Sequence, residues 1–331
     1  MPSPASGTTS TETAPQPAAP TTPLPLPPSI QNAVGTGAVE QVPGPFSRLA
    51  SLCPIGAFDS GLGGLSIIAE IRRLLPQEDI VFYGDSAFCP YGGRSDEWLR
   101  NRALEIAGFL FGQGAKTIVV ACNTASAAGL EHIRARYTVP IVGLVPAVKP
   151  AVEMTKTGTV GVLATPAALR GRLLADVIER FATPAGVRVV TTAPVGMVEA
   201  VERGELDTPE TEEAVAAALM PMLEAGADCI VLGCTHYPFL DAVLRRLAGD
   251  GVRLIDSSSG VALQTRRVLD ARHLLRDDGH TGRLTVYTSA DPQVIAPVVR
   301  ELVGEEVTVL HESQAPQPFS PENLPFPLRD Q

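Results

Sequence analysis

Two stretches of this chain, VVACNTASA at residues 119–127 and IVLGCTHYP at 230–238, repeat one pattern. Each is an apolar, β-branched run that ends in a cysteine, Cys122 or Cys234, with a threonine within two residues. Such runs read as fully buried strands, and the residues after each cysteine read as the start of a helix. In parallel α/β sheets ligands collect beyond the carboxyl ends of the strands, so both cysteines belong at a functional crevice. Both are also expected at or just before a helix N-terminus, where free N–H groups and the macrodipole favour thiolate over thiol. The repetition about a hundred residues apart suggests two related half-domains facing each other, one cysteine from each.

Outward from these stretches, short apolar runs alternate with helix-length amphipathic segments, the pattern of strands joined through crossover helices. Strands are expected at Ile55–Phe58, Ile80–Tyr83, Thr117–Ala121, Ile141–Leu144, Thr159–Leu163, Val187–Thr191, Cys229–Leu232, Val252–Ile255 and Thr285–Tyr287. Helices are expected between them, among them Leu65–Leu74, Asp96–Phe111 and Glu210–Ala225. The fold class is therefore α/β, with two similar domains of parallel-rich sheet flanked by helices and the active site at their interface.

The ends differ in kind. Pro, Ala, Thr and Ser dominate residues 1–50 without hydrophobic periodicity, and prolines recur through 313–331, so both segments are expected to be disordered. The apolar residues near Leu24 are broken by prolines, which argues against a signal peptide, and no membrane span is read. A chain of 331 residues that is 45% hydrophobic can bury two cores. A formal charge of −10 with no basic stripe argues against a nucleic-acid partner. Five cysteines, an odd number scattered over a long chain, fit a reducing cytoplasm better than a disulfide scaffold.

Cys53, Cys89 and Cys229 read as small core hydrophobes. Cys122 and Cys234 are different, since each stands among small and polar residues at a strand end. A zinc set of Cys229, Cys234 and His236, completed by Cys122 or Asp59, is the rival reading, but the spacing is no strong zinc signature, and no metal is expected. FDSGLGG at 58–64 lacks both nucleotide-binding glycine patterns and reads as an anion-binding turn or a merely tight one. CPYGGRS at 89–95 must turn; taken alone it reads as a surface loop.

Taken in order, IGAFDSGLGGLS, YGDSAFCPYGGRS, IVVACNTASA, VPIVGLVPAVKPA, GVLAT, the Glu202–Gly204 segment, DCIVLGCTHYP and LIDSS resemble the glutamate racemase family, within the wider aspartate/glutamate racemase group. The resemblance implies two α/β domains, here residues 51–146 with 256–312 and residues 147–255. It implies glutamate as the small-molecule substrate and no pyridoxal phosphate or other cofactor. It implies Cys122 and Cys234 as the two acid/base residues, Cys122 acting on the D-isomer and Cys234 on the L-isomer. Asp59, His236 and Glu202 are implied as groups assisting the cysteines; a solvated carboxylate at a helix end is the lesser alternative for Glu202. Asp59, Ser60, Tyr91, Gly92, Asn123, Thr124, Thr235 and His236 are implied as substrate contacts. After GVLAT, where relatives commonly carry Thr, Ser and Tyr, this chain has Ala168, Gly171 and Leu174, which puts polar contacts from that segment in doubt. The oligomeric state stays open, a homodimer among the alternatives.

These residue types suit the chemistry. The α-hydrogen of an amino acid and a thiol differ by roughly ten or more pK units at about 1.36 kcal/mol each. Donors gripping the α-carboxylate as charge spreads into it narrow that gap. Two bases on opposite faces explain inversion, one thiolate taking a proton while the opposing thiol delivers another. Among acids as substrates, His236 favours glutamate, since aspartate-specific relatives tend to carry Glu after the second Cys-Thr. By the same resemblance, D-glutamate so made serves peptidoglycan synthesis. An aspartate or other amino-acid racemase, or a binding protein without catalysis, are the alternatives.

Overall fold

A strand covered on both faces has no place for a solvated side chain, and β1 (Ile55–Asp59), reading IGAFD, is buried at every position. Its neighbours follow the same logic in a computed structural model that describes residues 49–315. They are β2 (Ile80–Gly84), β3 (Thr117–Val120) and β4 (Ile141–Gly143), then β5 (Thr159–Ala164), β6 (Arg188–Thr192), β7 (Cys229–Gly233) and β8 (Arg253–Ile255), and last β9 (Leu284–Thr288) and β10 (Thr308–His311). The expected disorder of the two ends falls almost wholly outside the described residues.

The strands form two sheets, a six-stranded one in the order β10-β9-β2-β1-β3-β4 and a four-stranded one in the order β6-β5-β7-β8. Every pairing is parallel. The chain completes β1–β4, builds the whole second sheet, and returns to the first for β9 and β10. The α/β class expected from sequence is what folds, with nine strands within a residue or two of their expected bounds. The tenth, β10, was not expected: its run Thr308–His311 is short, half exposed and beside the proline-rich tail.

Alternation along each strand divides the packing. Ile55 and Ala57 of β1 join Val119 and Ala121 against helix Leu65–Leu74, while Phe58, Ile118 and Val120 face the other side, toward Asp96–Gly112. Helix Leu65–Leu74 buries Leu65, Ile67, Ile68 and Ile71. At about 1.5–3 kcal/mol per buried aliphatic side chain, that face contributes roughly 6–12 kcal/mol. In the second sheet, Leu163, Ile230 and Leu232 pack toward helix Pro209–Glu224, and Val160, Val162, Cys229 and Val231 toward Val148–Met154. Cys229 is thus a core residue, as its sequence suggested. Among the described residues no helix is long and apolar enough to cross a membrane.

Candidate active site

Parallel strands present their carboxyl ends on one edge, and the residues just past β1, β3, β5 and β7 line one narrow pocket. Its walls include Ser60, Tyr91, Gly92, Cys122, Asn123, Thr124, Cys234, Thr235 and His236, together with Thr165. Cys122 follows a strand of the first sheet and Cys234 a strand of the second, so the two thiols reach the pocket from different sheets. Both are buried.

Their local settings differ. Cys122 is the N-cap of helix Asn123–Arg136, its Sγ accepting from Ala125 N at 3.4 Å. Cys234 caps no α-helix: a turn and a 3-10 helix, Tyr237–Leu240, intervene before helix Asp241–Ala248 begins. The helix expected directly after the second cysteine is displaced because Pro238 removes a donor from that turn.

Asp59, at the end of β1, is fully buried, and its charge acts on the Cys122 thiol. Its Oδ2 accepts from Gly64 N at 2.8 Å and from Thr235 Oγ1 at 3.4 Å, and Oδ1 from Ser60 Oγ at 3.4 Å. Burial raises the Asp59 carboxyl above its usual range. Burial, then the negative charge of Asp59, push the Cys122 thiol well above its ordinary value.

On the other side His236 bridges two groups. Nδ1 lies 3.6 Å from Cys234 Sγ and Nε2 2.7 Å from Glu202 Oε1. Gly63 N also faces Nε2, at 3.3 Å; the shorter contact assigns the Nε2 proton to the bond toward Glu202. Burial opposes charge on the imidazole, but hydrogen bonds to Cys234, Cys89 and Glu202 outweigh it and raise its pKa well above the usual. Glu202 ends helix Met197–Glu202 and also accepts from Leu62 N at 2.5 Å. The solvated helix-end reading of Glu202 therefore fails: its partners lie 140 and 34 residues away in sequence.

FDSGLGG does its work through space. Gly61, Gly63 and Gly64 are absent from the positive-φ residues, and a Cβ at Gly63 would meet His236 Nδ1 at 2.3 Å. At Gly64 it would meet Asp59 Cβ at 2.7 Å. The glycines let the turn pass between the groups that flank the two thiols.

Pro90, Gly93, Arg94 and Ser95 are exposed, as expected of a surface loop, but Tyr91 and Gly92 in its middle are buried. The Tyr91 hydroxyl donates to Asp85 Oδ2 at 2.5 Å, and Asp85 also takes Arg102 Nε and Nη2 at 2.8 and 2.6 Å. Tyr91 therefore lines the pocket with its ring while its hydroxyl is held elsewhere. Four residues escaped the sequence reading: Thr165, whose Oγ1 meets Thr124 Oγ1 at 2.9 Å, Asp85 and Arg102, which pair, and Cys89, which packs against the second sheet's apolar core as expected but also lies close to His236 and Glu202. The run of strand ends could have pointed to Thr165. Ala168 and Leu174 are buried and offer no polar atom, as expected. The zinc set built on Cys229 does not form, because Cys229 and Cys234 stand at opposite ends of β7, roughly 16 Å of extended chain apart.

Asn123 leaves one mark of an absent partner. Its Oδ1 is buried at the pocket and unpartnered among the described residues.

The family model for Asp/Glu/hydantoin racemases matches residues 64–264. A glutamate racemase of Deinococcus radiodurans is 52% identical over 250 residues, covering 76% of this chain and 85% of that protein. The solved glutamate racemase of Escherichia coli, in complex with L-glutamate and the activator UDP-MurNAc-ala, superimposes with a TM-score of 0.69 at 32% identity, over 78% of this chain and 97% of that one. That of Francisella tularensis, in complex with D-glutamate, gives 0.67 at 29% identity, over 78% and 97%. The chain belongs to the Asp/Glu/hydantoin racemase family, with the glutamate racemases as its near relatives.

Proposed function

We propose that this chain interconverts L- and D-glutamate without a cofactor, Cys122 and Cys234 serving as the two acid/base groups. The observation that carries the reading is that two buried thiols from two sheets line one pocket together with the polar side chains of Ser60, Asn123, Thr124, Thr235 and His236. Between them an α-carbon would present one face to each sulfur.

From L-glutamate, the Cys234 thiolate takes the α-proton, forming S–H as the Cα–H bond breaks, and the electron pair passes into the α-carboxylate. The Cys122 thiol then gives its proton to the opposite face, and the two sulfurs end with exchanged protonation. From D-glutamate the roles reverse. His236, hydrogen-bonded to Cys234 and backed by Glu202, holds a proton where that sulfur can pass or recover it. Asp59 has the corresponding position at Cys122. Asn123 Oδ1 is a free acceptor suited to the substrate ammonium, and Thr235, Ser60 and backbone N–H groups suit the carboxylates. The two lobes, 51–146 with 256–312 and 147–255, are proposed as the bodies that hold glutamate between them. Peptidoglycan synthesis in the cytoplasm is the proposed use of the D-isomer.

The test is polarimetry on D- and L-glutamate without added cofactor, with Cys122→Ser and Cys234→Ser. Each variant is expected to lose racemisation in both directions. In heavy water Cys122→Ser should still exchange the α-hydrogen of L-glutamate, and Cys234→Ser that of D-glutamate. Near-normal racemisation by either variant would sink the two-base assignment.

A further inference from the structure

Cys89, Glu202 and His236 come from three separate segments, yet their donor atoms, a thiol sulfur, a carboxylate oxygen and an imidazole nitrogen, all lie within 4.8 Å of one another. The Cys89 sulfur lies against the backbone of Gly61, where a built Cβ would meet it at 2.9 Å and the Glu202 carboxylate carbon at 2.6 Å. Glu202 faces Ser86 Oγ at 3.3 Å, its side chain keeps 15% of its exposure, and Ala87 beside it is exposed. An ion can therefore arrive from that side without passing between Cys122 and Cys234.

We infer that Cys89, Glu202 and His236 form a binding site for a divalent cation of the zinc or cadmium class, and that its occupancy arrests the acid/base pair of His236 and Cys234. Thiolate, imidazole and carboxylate are the donors that tetrahedral zinc sites use, whereas magnesium and calcium prefer oxygen alone. Bonds of about 2.0–2.3 Å at tetrahedral angles put ligand atoms roughly 3.3–3.8 Å apart. The present separations run from 2.7 Å, between His236 and Glu202, to no more than 4.8 Å, so shifts of about an ångström complete the geometry. Charge also balances. With the thiol neutral, the imidazole protonated and the carboxylate ionised, the trio sums to zero; the cation displaces one proton from sulfur and one from nitrogen, and the sum is again zero. The ion would take the Nε2 valence that now binds Glu202 and displace its proton; the N–H left at Nδ1, facing Cys234, then belongs to a neutral metal-bound imidazole, a far weaker acid than imidazolium, so His236 no longer passes a proton to that sulfur. It is an inhibitory site, with no part in turnover.

The binding arm of the test does not depend on the proposed activity. Purified wild type, Cys89→Ser and the double variant Cys122→Ser/Cys234→Ser are titrated with cadmium, and the thiolate-to-metal charge-transfer absorption is followed. Wild type and the double variant should each show one saturating equivalent. Cys89→Ser should bind about 100-fold more weakly, the scale of one ligand lost from a four-ligand zinc site. A band that survives Cys89→Ser and disappears in the double variant would put the cation on the two catalytic thiols and overturn the inference, as would no band in wild type. In the activity arm, which rests on the proposed function, cadmium should inhibit reversibly and Cys89→Ser should raise the inhibitory concentration about 100-fold. A chain inactive on glutamate would count against that function, while the absorption titration would still decide the site.

Discussion

Gly63→Ala adds one methyl at the place least able to receive it. The new Cβ would lie 2.3, 2.6 and 2.7 Å from Nδ1, Cε1 and Cγ of His236. Ordinary contact begins near 3.4 Å, so something must move by about an ångström. The imidazole is 1% exposed and engaged at both nitrogens, and yielding breaks its contacts to Cys234 and Glu202. Overpacking of this kind costs about 1–3 kcal/mol. For a domain of this size that lowers Tm by roughly 2–10 °C. The kinetic effect should be larger, since a misplacement of about 1 Å can cost on the order of 100-fold. It should also be one-sided. In heavy water, α-hydrogen exchange from L-glutamate, assigned to Cys234, should fall about 100-fold. Exchange from D-glutamate, assigned to Cys122, should change little. Gly260→Ala, where a Cβ meets nothing within 4 Å, is the control and should match wild type. Equal loss of both exchanges, or none in either, would refute the pairing of His236 with Cys234.

Other outcomes follow from other parts of the molecule. Lys116 is fully buried, paired with Glu78 at 2.5 Å and bonded to Ser51 O at 2.6 Å; Lys116→Met should cost about 3–5 kcal/mol in urea unfolding, and a loss below 1 kcal/mol would contradict the pair's role. Burial raises the Asp228 carboxyl, but hydrogen bonds from Thr155, Lys156 and Thr157 outweigh it and hold the pKa low. A depressed folded value gives stability that is present above the unfolded pKa, near 3.9, and lost as pH falls through the folded value. The stability difference between wild type and Asp228→Asn should therefore be full at pH 7 and shrink in the acid range below that; a difference independent of pH would refute it. Chelators should leave turnover intact, and loss restored by zinc would overturn the two-thiol mechanism.

What could be read from sequence was local. The strand runs, the cysteines at two strand ends and the amphipathic helix Leu65–Leu74 each depend on residues a few positions apart, and they fold as their patterns say. What could not be read depends on distant partners. Glu202 looks like any helix-end carboxylate until Leu62, 140 residues earlier, donates to it. The glycines of 58–64 read as an anion-binding turn or a merely tight one because glycine usually signals backbone freedom; what no local pattern shows is the clearance that Gly63 gives His236, 173 residues on. Cys89 was read as an inert core residue for the same reason: nothing within its own segment discloses the imidazole beside it. Proline at 238 was visible, and its effect on the helix after Cys234 could have been anticipated.

The two halves of the pocket are built unlike each other for a reaction whose ends are mirror images. Cys122 has a helix N-terminus and a buried carboxyl; Cys234 has an imidazole backed by a carboxylate. Free L- and D-glutamate have equal free energy in achiral water, so the equilibrium constant is one whatever the enzyme. The ratio kcat/KM must then be the same in both directions, for wild type and for every variant. The unlike surroundings can appear only as compensating differences in kcat and KM, with the isomer that binds more tightly turned over more slowly. A substitution on one side cannot abolish net conversion in one direction and spare the other. This is why isotope exchange, and not racemisation, must assign each sulfur to its face. If Gly63→Ala shifts kcat and KM unequally for the two isomers while their kcat/KM values stay equal, the asymmetry lies in the site; kcat/KM values that diverged would mean that something other than simple racemisation was being measured.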